Sequence, residues 1–168
     1  WLHPTATPVD FTIGNVLAIK SKECAQAFWF FGGEDFAFER VLWTKISRGI
    51  FRGGFNTVTL RGTRILRGPM VHGRVPALAT YAGGPQLSGA DSPDGINNII
   101  VDDHMAVGTG DDSIAIFVGR SNISITNCYI TDSFARGILL CNTTQPVLQN
   151  NTVLRCPIFT PQTLAGCP

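Results

Sequence analysis

The sequence predicts an all-β fold, a right-handed parallel β-helix solenoid of about six rungs, from three observations. Short segments that alternate apolar and polar residues recur about every 22 to 24 residues. Gly, Asn and Thr separate these segments, and they interrupt the chain too often for long helices. One rung of this length cannot bury its own apolar side, so the rungs must stack to form a continuous core.

The repeat is clearest in the C-terminal half of the chain. Residues 98–103 align with residues 122–127 one period later, and the same shift carries Ile114 onto Ile138. Each segment has the period of two that is typical of a half-buried strand. These segments are therefore predicted to be equivalent strands of successive rungs.

The N-terminal half continues the pattern. Phe36–Phe38 aligns with Val58–Leu60 one period later, and Gly49–Phe51 takes the place later filled by Ser113–Ala115. Phe11–Ile13 is predicted to open the first rung. The Asn residues that close successive strands are predicted to stack and hydrogen-bond along one column.

One stretch, residues 68–97, breaks the period. It is rich in Gly, Pro and Ser, and it is interpreted as one long loop that leaves the solenoid. Such insertions commonly gather on the binding face of repeat proteins. The chain is predicted to be a single β-helix domain over residues 1–168, either whole or a piece of a longer solenoid, and its oligomeric state stays open.

Composition restricts the partners and the location. Charged residues make up 15% of the chain and the net charge is +1, so no attraction to nucleic acid or to a membrane surface is expected. No apolar run is long enough for a transmembrane helix. Three N-x-S/T sequons, at Asn122, Asn142 and Asn150, fit a secreted glycoprotein, although such triplets also arise by chance. A disulfide between Cys156 and Cys167 is predicted to close the tail.

The strongest local motif is an acidic pair on a Gly-flanked turn before a buried strand. Asp111 and Asp112 form the pair, and the repeat places Asp112 one rung from Arg136. Arg48, and more loosely Arg67, align with the same column. Because rungs lie about 4.8 Å apart, the sequence predicts a column of Arg and Asp on one outer face.

Paired carboxylates are what glycoside hydrolysis requires, one as general acid and the other to activate water or attack carbon. Asp94, in the predicted loop, is expected to approach the pair. The arginines and His104 are predicted to bind the substrate, and Arg suits the carboxylate of an acidic sugar. The structural alternative is that the Asp side chains stabilise a turn while Arg–Asp pairs join neighbouring rungs.

Residues 92–140 resemble the polygalacturonase group of pectinases, the family 28 glycoside hydrolases, which are right-handed parallel β-helices. Those enzymes carry N-T-D-G, then G-D-D-C-I-A-I, then G-H-G. The corresponding positions here are Ser92–Gly95, Gly110–Ile116 and Ala135–Gly137. The middle motif matches closely and the outer two match in part.

The resemblance implies inverting hydrolysis, with Asp111 as the acid while Asp112 and Asp94 activate water. Arg136 stands where the family has His, the R-I-K motif is not evident, and the chain is about half the family's usual length. The predicted activity is hydrolysis of a polysaccharide or oligosaccharide, with no cofactor and no metal. The alternatives are a polysaccharide lyase, for which Ca²⁺ would be expected, and a structural or adhesion module without catalysis.

Overall fold

A computed structural model describes residues 26–31, 35–44, 49–54, 57–68, 78–80, 83–88, 97–117, 121–156 and 162–164. The elements in these ranges are all β-strands, which confirms the all-β class. The strands in chain order are β1 (Gln26–Phe31), β2 (Asp35–Glu39), β3 (Leu42–Thr44), β4 (Gly49–Gly54), β5 (Thr57–Arg61), β6 (Arg64–Leu66), β7 (Pro85–Ser88), β8 (Asn98–Asp102), β9 (Met105–Val107), β10 (Ile114–Phe117), β11 (Ile123–Thr126), β12 (Tyr129–Thr131), β13 (Ile138–Cys141), β14 (Val147–Gln149), β15 (Thr152–Leu154) and β16 (Gln162–Leu164).

The strands form three parallel sheets. Sheet A has the order β1-β4-β7-β10-β13-β16, sheet B the order β14-β11-β8-β5-β2, and sheet C the order β15-β12-β9-β6-β3. Each rung therefore contributes one strand to sheet A, then one to sheet B and one to sheet C. This arrangement is a parallel β-solenoid, as the period predicts.

The observed register confirms the predicted alignment. Ile114 pairs with Ile138, and Ile99 pairs with Ile123. Strand β2 pairs with β5 in the register expected from the N-terminal half of the repeat. The predicted count of about six rungs is larger than the about three rungs, those that begin with β7, β10 and β13, in which the structure describes nearly all the strand side chains. The rung predicted at Phe11–Ile13 lies outside the described residues.

The interpretation of residues 68–97 as one long loop is wrong. Strand β7 lies within this stretch and pairs with β4 and β10, and its Leu87 is fully buried. The extra sequence falls in two connections, from β6 to β7 and from β7 to β8, each of which is longer than its equivalent in the next rung. Gly84 permits the close stacking before β7, since a Cβ there would overlap the Ser113 carbonyl oxygen.

The core lies inside the solenoid, because the side chain at every second position of a strand points inward. Its fully buried large residues are Leu60, Ile65, Leu87, Ile99, Ile114, Ile116, Ile123, Ile125 and Ile130. Trp43 also belongs to this core and packs edge-on against Phe38, with ring centroids 5.2 Å apart. Each such residue contributes about 2 kcal/mol of apolar burial, so stacking of rungs is the main source of stability.

The connection between sheets B and C is a tight turn that repeats in every described rung. Its first residue has a positive φ of 51° to 61° at Arg40, Gly62, Asp103, Asn127 and Asn150. Asn and Asp tolerate this left-handed conformation better than most residues. The predicted Asn column is confirmed, because Asn150 Nδ2 donates to Asn127 Oδ1 at 3.3 Å.

Candidate functional site

The predicted acidic pair lies in the connection from sheet C to sheet A. We call the two stacked segments, residues 108–113 and residues 132–137, the C–A connections. The backbone N–H of Ser113 donates to Arg136 O at 2.9 Å, and Ile114 N–H donates to Gly137 O at 3.1 Å. These bonds continue the strand register into the connection and place Arg136 next to Asp112 on the adjacent rung.

Asp112 and Arg136 form a closed ion pair. The guanidinium Nε donates to Asp112 Oδ1 at 2.7 Å and Nη2 donates to Oδ2 at 3.0 Å, while the Arg136 backbone N–H donates to Oδ1 at 2.9 Å. Asp112 is only 3% exposed, whereas the Arg136 side chain is 29% exposed. The predicted adjacency is confirmed, and both carboxylate oxygens of Asp112 are already occupied.

Asp111 has the opposite character. Its residue is half-buried, and within the described part of the chain no group bonds its carboxylate. The backbone is held firmly instead, because the Asp111 carbonyl accepts from Thr109 Oγ1 at 2.9 Å and from Ser133 Oγ at 2.7 Å. Of the two predicted acids, Asp111 is therefore the one whose carboxylate is available to a ligand.

An exposed aromatic residue lies on the rung next to that of Asp111. Phe134 is 67% exposed, and its N–H donates to Thr109 O at 2.8 Å, which places it one rung above Gly110. Two positions later comes Arg136, whose Nη1 has no hydrogen bond to any described residue. Phe134 was missed in the sequence, where its one signal is an aromatic inside an otherwise polar connection.

Arg67 does not join the Asp112 column, which corrects the looser part of that prediction. Its Nη2 donates to Asp132 Oδ2 at 3.1 Å, and Arg155 Nε donates to Oδ1 of the same carboxylate at 2.5 Å. Arg67 directly follows β6, so it aligns with Gly108 and Asp132 at the edge of sheet C. The hydrogen bond from Arg155 is the main cause of the lowered pKa of Asp132.

Three of the predicted residues, Asp94, Arg48 and Cys167, lie outside the described residues. Cys156 is a free and buried thiol, so the predicted Cys156–Cys167 disulfide is wrong. Cys156 aligns with Ser133 one rung away, and its side chain is buried inside the solenoid, where Sγ donates to Leu154 O at 3.4 Å. A disulfide does involve Cys141.

His104 is inside the solenoid, so its prediction as a substrate-binding residue is wrong. It is 1% exposed and follows the left-handed Asp103, as Thr63 follows Gly62 one rung below. Its Nδ1 bonds Thr63 Oγ1 at 2.7 Å, while Nε2 is buried with no partner in the described residues. Burial, and then the charge of Arg64, lower the pKa of His104 to about 4.

This burial predicts an acid-sensitive fold. The pKa of His104 is lower in the folded chain, about 4, than the ordinary 6.5. The neutral, buried state of His104 therefore contributes fully to the free energy of unfolding above pH 6.5. This contribution is lost as the pH falls from 6.5 to 4, by about 3 kcal/mol in total.

Urea unfolding at several pH values measures the loss. The double variant Thr63→Val/His104→Leu removes both polar partners, and it should show about 3 kcal/mol less pH dependence in this window. An identical pH dependence in the two proteins would contradict the assignment.

The three sequon asparagines, Asn122, Asn142 and Asn150, are all exposed. Asn122 Nδ2 donates to Asn98 Oδ1 at 3.0 Å, so the atom that would carry a glycan is also used between rungs. Asn150 is in the same situation, with its Nδ2 directed at Asn127.

Within the described ranges, no three His, Cys, Asp or Glu side chains are grouped to hold a metal ion, and no helix is long and apolar enough to cross a membrane. Comparison with known proteins finds no matching family model, no matching curated protein and no matching solved structure. The geometry of the C–A connections is therefore the feature of this chain that indicates a function.

Proposed function

We propose that this solenoid is a carbohydrate-active hydrolase that binds a polysaccharide or oligosaccharide over the C–A connections. The observation that carries the proposal is a combination of three groups on neighbouring rungs. They are the unbonded carboxylate of Asp111, the exposed ring of Phe134 and the Nη1 of Arg136, which has no hydrogen bond to any described residue. A flat apolar ring can pack against the C–H face of a sugar, while the two polar groups bind its substituents.

Asp111 would act as the general acid that protonates the leaving oxygen. This is the role that the family 28 resemblance of Gly110–Ile116 implies for it. Asp112 would serve as the base only after it is released from Arg136. The carboxylate of a uronic acid, bound by the same guanidinium, would compete for Arg136 and so free Asp112 to accept a proton from water.

A second candidate is a solenoid module without catalysis. The closed Asp112–Arg136 pair favours it, because both oxygens of the buried carboxylate are occupied. The same kind of pairing between neighbouring rungs joins Arg64 to Asp103 and Arg155 to Asp132. In this candidate the charged residues serve to hold neighbouring rungs together, and the connections carry no reaction.

A hydrolase acting on polysaccharides would meet its substrate outside the cell. We therefore extend the proposal to a secreted protein, with glycans on the exposed Asn122, Asn142 and Asn150. Mass measurement of the protein secreted from a eukaryotic host, before and after enzymatic removal of N-glycans, tests this part separately.

The activity is tested by the release of reducing ends from polygalacturonate and from a neutral glucan. The wild-type chain is expected to cleave at least one of them. The Phe134→Ala variant is expected to raise KM about tenfold, which corresponds to about 1.4 kcal/mol of lost ring contact. Unsaturated products that absorb in the near ultraviolet would instead assign a lyase. No product from either polymer would favour the module without catalysis.

A further inference from the structure

Three hydroxyl groups form a buried cluster beneath the candidate site. Thr109 Oγ1 lies 2.7 Å from Ser113 Oγ and 2.9 Å from Ser133 Oγ. All three residues are at most 2% exposed. Thr109 and Ser113 belong to the C–A connection 108–113, and Ser133 belongs to the C–A connection 132–137. This hydroxyl cluster therefore joins two rungs inside the solenoid.

The three hydroxyl groups make five short contacts, so their three protons cannot fill every contact at once. Each hydroxyl has one proton to donate and can accept from others. Thr109 donates to the carbonyl of Asp111 and accepts from Ser113. Ser133 then has its own proton for a backbone carbonyl. Each of the three protons then has an acceptor, and the contact between Thr109 and Ser133 is the one that has no proton of its own.

Ser133 is the member that touches both functional segments. Its Oγ donates to Asp111 O at 2.7 Å and to Arg136 O at 2.9 Å, so the two bonds share its proton. The carbonyls of Asp111 and Arg136 lie on different rungs. The Ser133 hydroxyl therefore fixes the distance between the backbones of Asp111 and Arg136.

We infer that Ser133 is a positioning residue that holds Asp111 and Arg136 in the geometry the reaction needs. The inference rests on the proposed function and adds a residue that the catalytic motif does not contain. A displacement of about 1 Å in a catalytic group can cost about 100-fold in rate. Loss of the hydroxyl should therefore lower kcat more than it changes KM.

The test compares Ser133→Ala with Ser133→Thr, which keeps the hydroxyl. Thr is a fitting replacement because Thr109 and Thr80 occupy the same column on the rungs below. Ser133→Ala is expected to lower kcat on polygalacturonate by about 10- to 100-fold, and Ser133→Thr should restore most of it. Thr126→Val, which removes a hydroxyl bonded to Asp102, is the matched control and should leave kcat unchanged.

A second readout needs no substrate. The Arg136 Nε–H, bonded to Asp112 at 2.7 Å, should exchange slowly with solvent in an NMR experiment. Ser133→Ala should accelerate this exchange about tenfold, as a loosened Arg136 implies, and Thr126→Val should not. Unchanged exchange and unchanged kcat in Ser133→Ala would overturn the inference. If the wild type hydrolyses neither polymer but Ser133→Ala alters the exchange, the proposed function is overturned. The result would still show that Ser133 restrains Arg136.

Discussion

Replacing Asp112 by Asn is expected to lower the free energy of unfolding by about 3 kcal/mol. The side chain is 3% exposed and accepts three N–H bonds, two of them from the guanidinium of Arg136. An amide in its place carries no charge, and its NH₂ group cannot accept from Arg136. The guanidinium would then be half-buried without a counter-charge. Urea unfolding followed by circular dichroism measures the change.

Asp103→Asn is the matched control for this prediction. Asp103 also meets an arginine, with Arg64 Nη2 placed 2.9 Å from each of its oxygens, but its side chain is 59% exposed. An exposed pair of this kind is worth less than about 1 kcal/mol. Equal losses in Asp112→Asn and Asp103→Asn would show that the pair in the C–A connections has no special importance for stability.

The sequence predicted the register of the solenoid well wherever the connections keep a nearly constant length. From β8 onward equivalent strands are almost evenly spaced along the chain, so the alignment carries Ile114 onto Ile138 and Asp112 next to Arg136. In-register parallel pairing makes each residue's neighbour one period away. For this reason a contact between two charged side chains could be predicted without any structure.

The prediction failed where the connections change length. The long connection between β6 and β7 shifts the alignment, so the period does not reveal β7 and it places Arg67 in the column of Asp112 instead of that of Asp132. Strand β7 is also short and begins with Pro85, between Gly-rich segments that resemble a loop. A period alone cannot reveal where extra residues leave the rung and where they return.

The sequence also does not reveal whether a side chain at a turn points into the solenoid or out to solvent. His104 was expected near a turn and is there, but the residue after a left-handed turn position points inward in this solenoid. Its aligned neighbours, Thr63 and Cys128, are small and buried, and their small size was the signal available in the sequence. Phe134 shows the reverse case, an aromatic residue that the rung geometry turns outward.

The Asp111→Asn variant is expected to lose hydrolysis by at least about 100-fold and to keep its stability within about 0.5 kcal/mol of the wild type. No described residue bonds the Asp111 carboxylate, so an amide of the same shape breaks no ion pair. The amide cannot donate a proton to a leaving oxygen, so the chemical step is affected directly. Initial rates of reducing-end release, with thermal unfolding as the control, measure both effects.

The central claim is that the C–A connections carry a reaction for which Asp111 supplies the proton. Its most direct test is the ratio of initial rates for wild type and Asp111→Asn on the polymer that the wild type cleaves, polygalacturonate or the neutral glucan, measured side by side on proteins with equal unfolding midpoints. We expect a ratio of at least about 100. Equal rates, or no release of reducing ends from either polymer by the wild type, would contradict the claim and leave the acidic pair with a structural role.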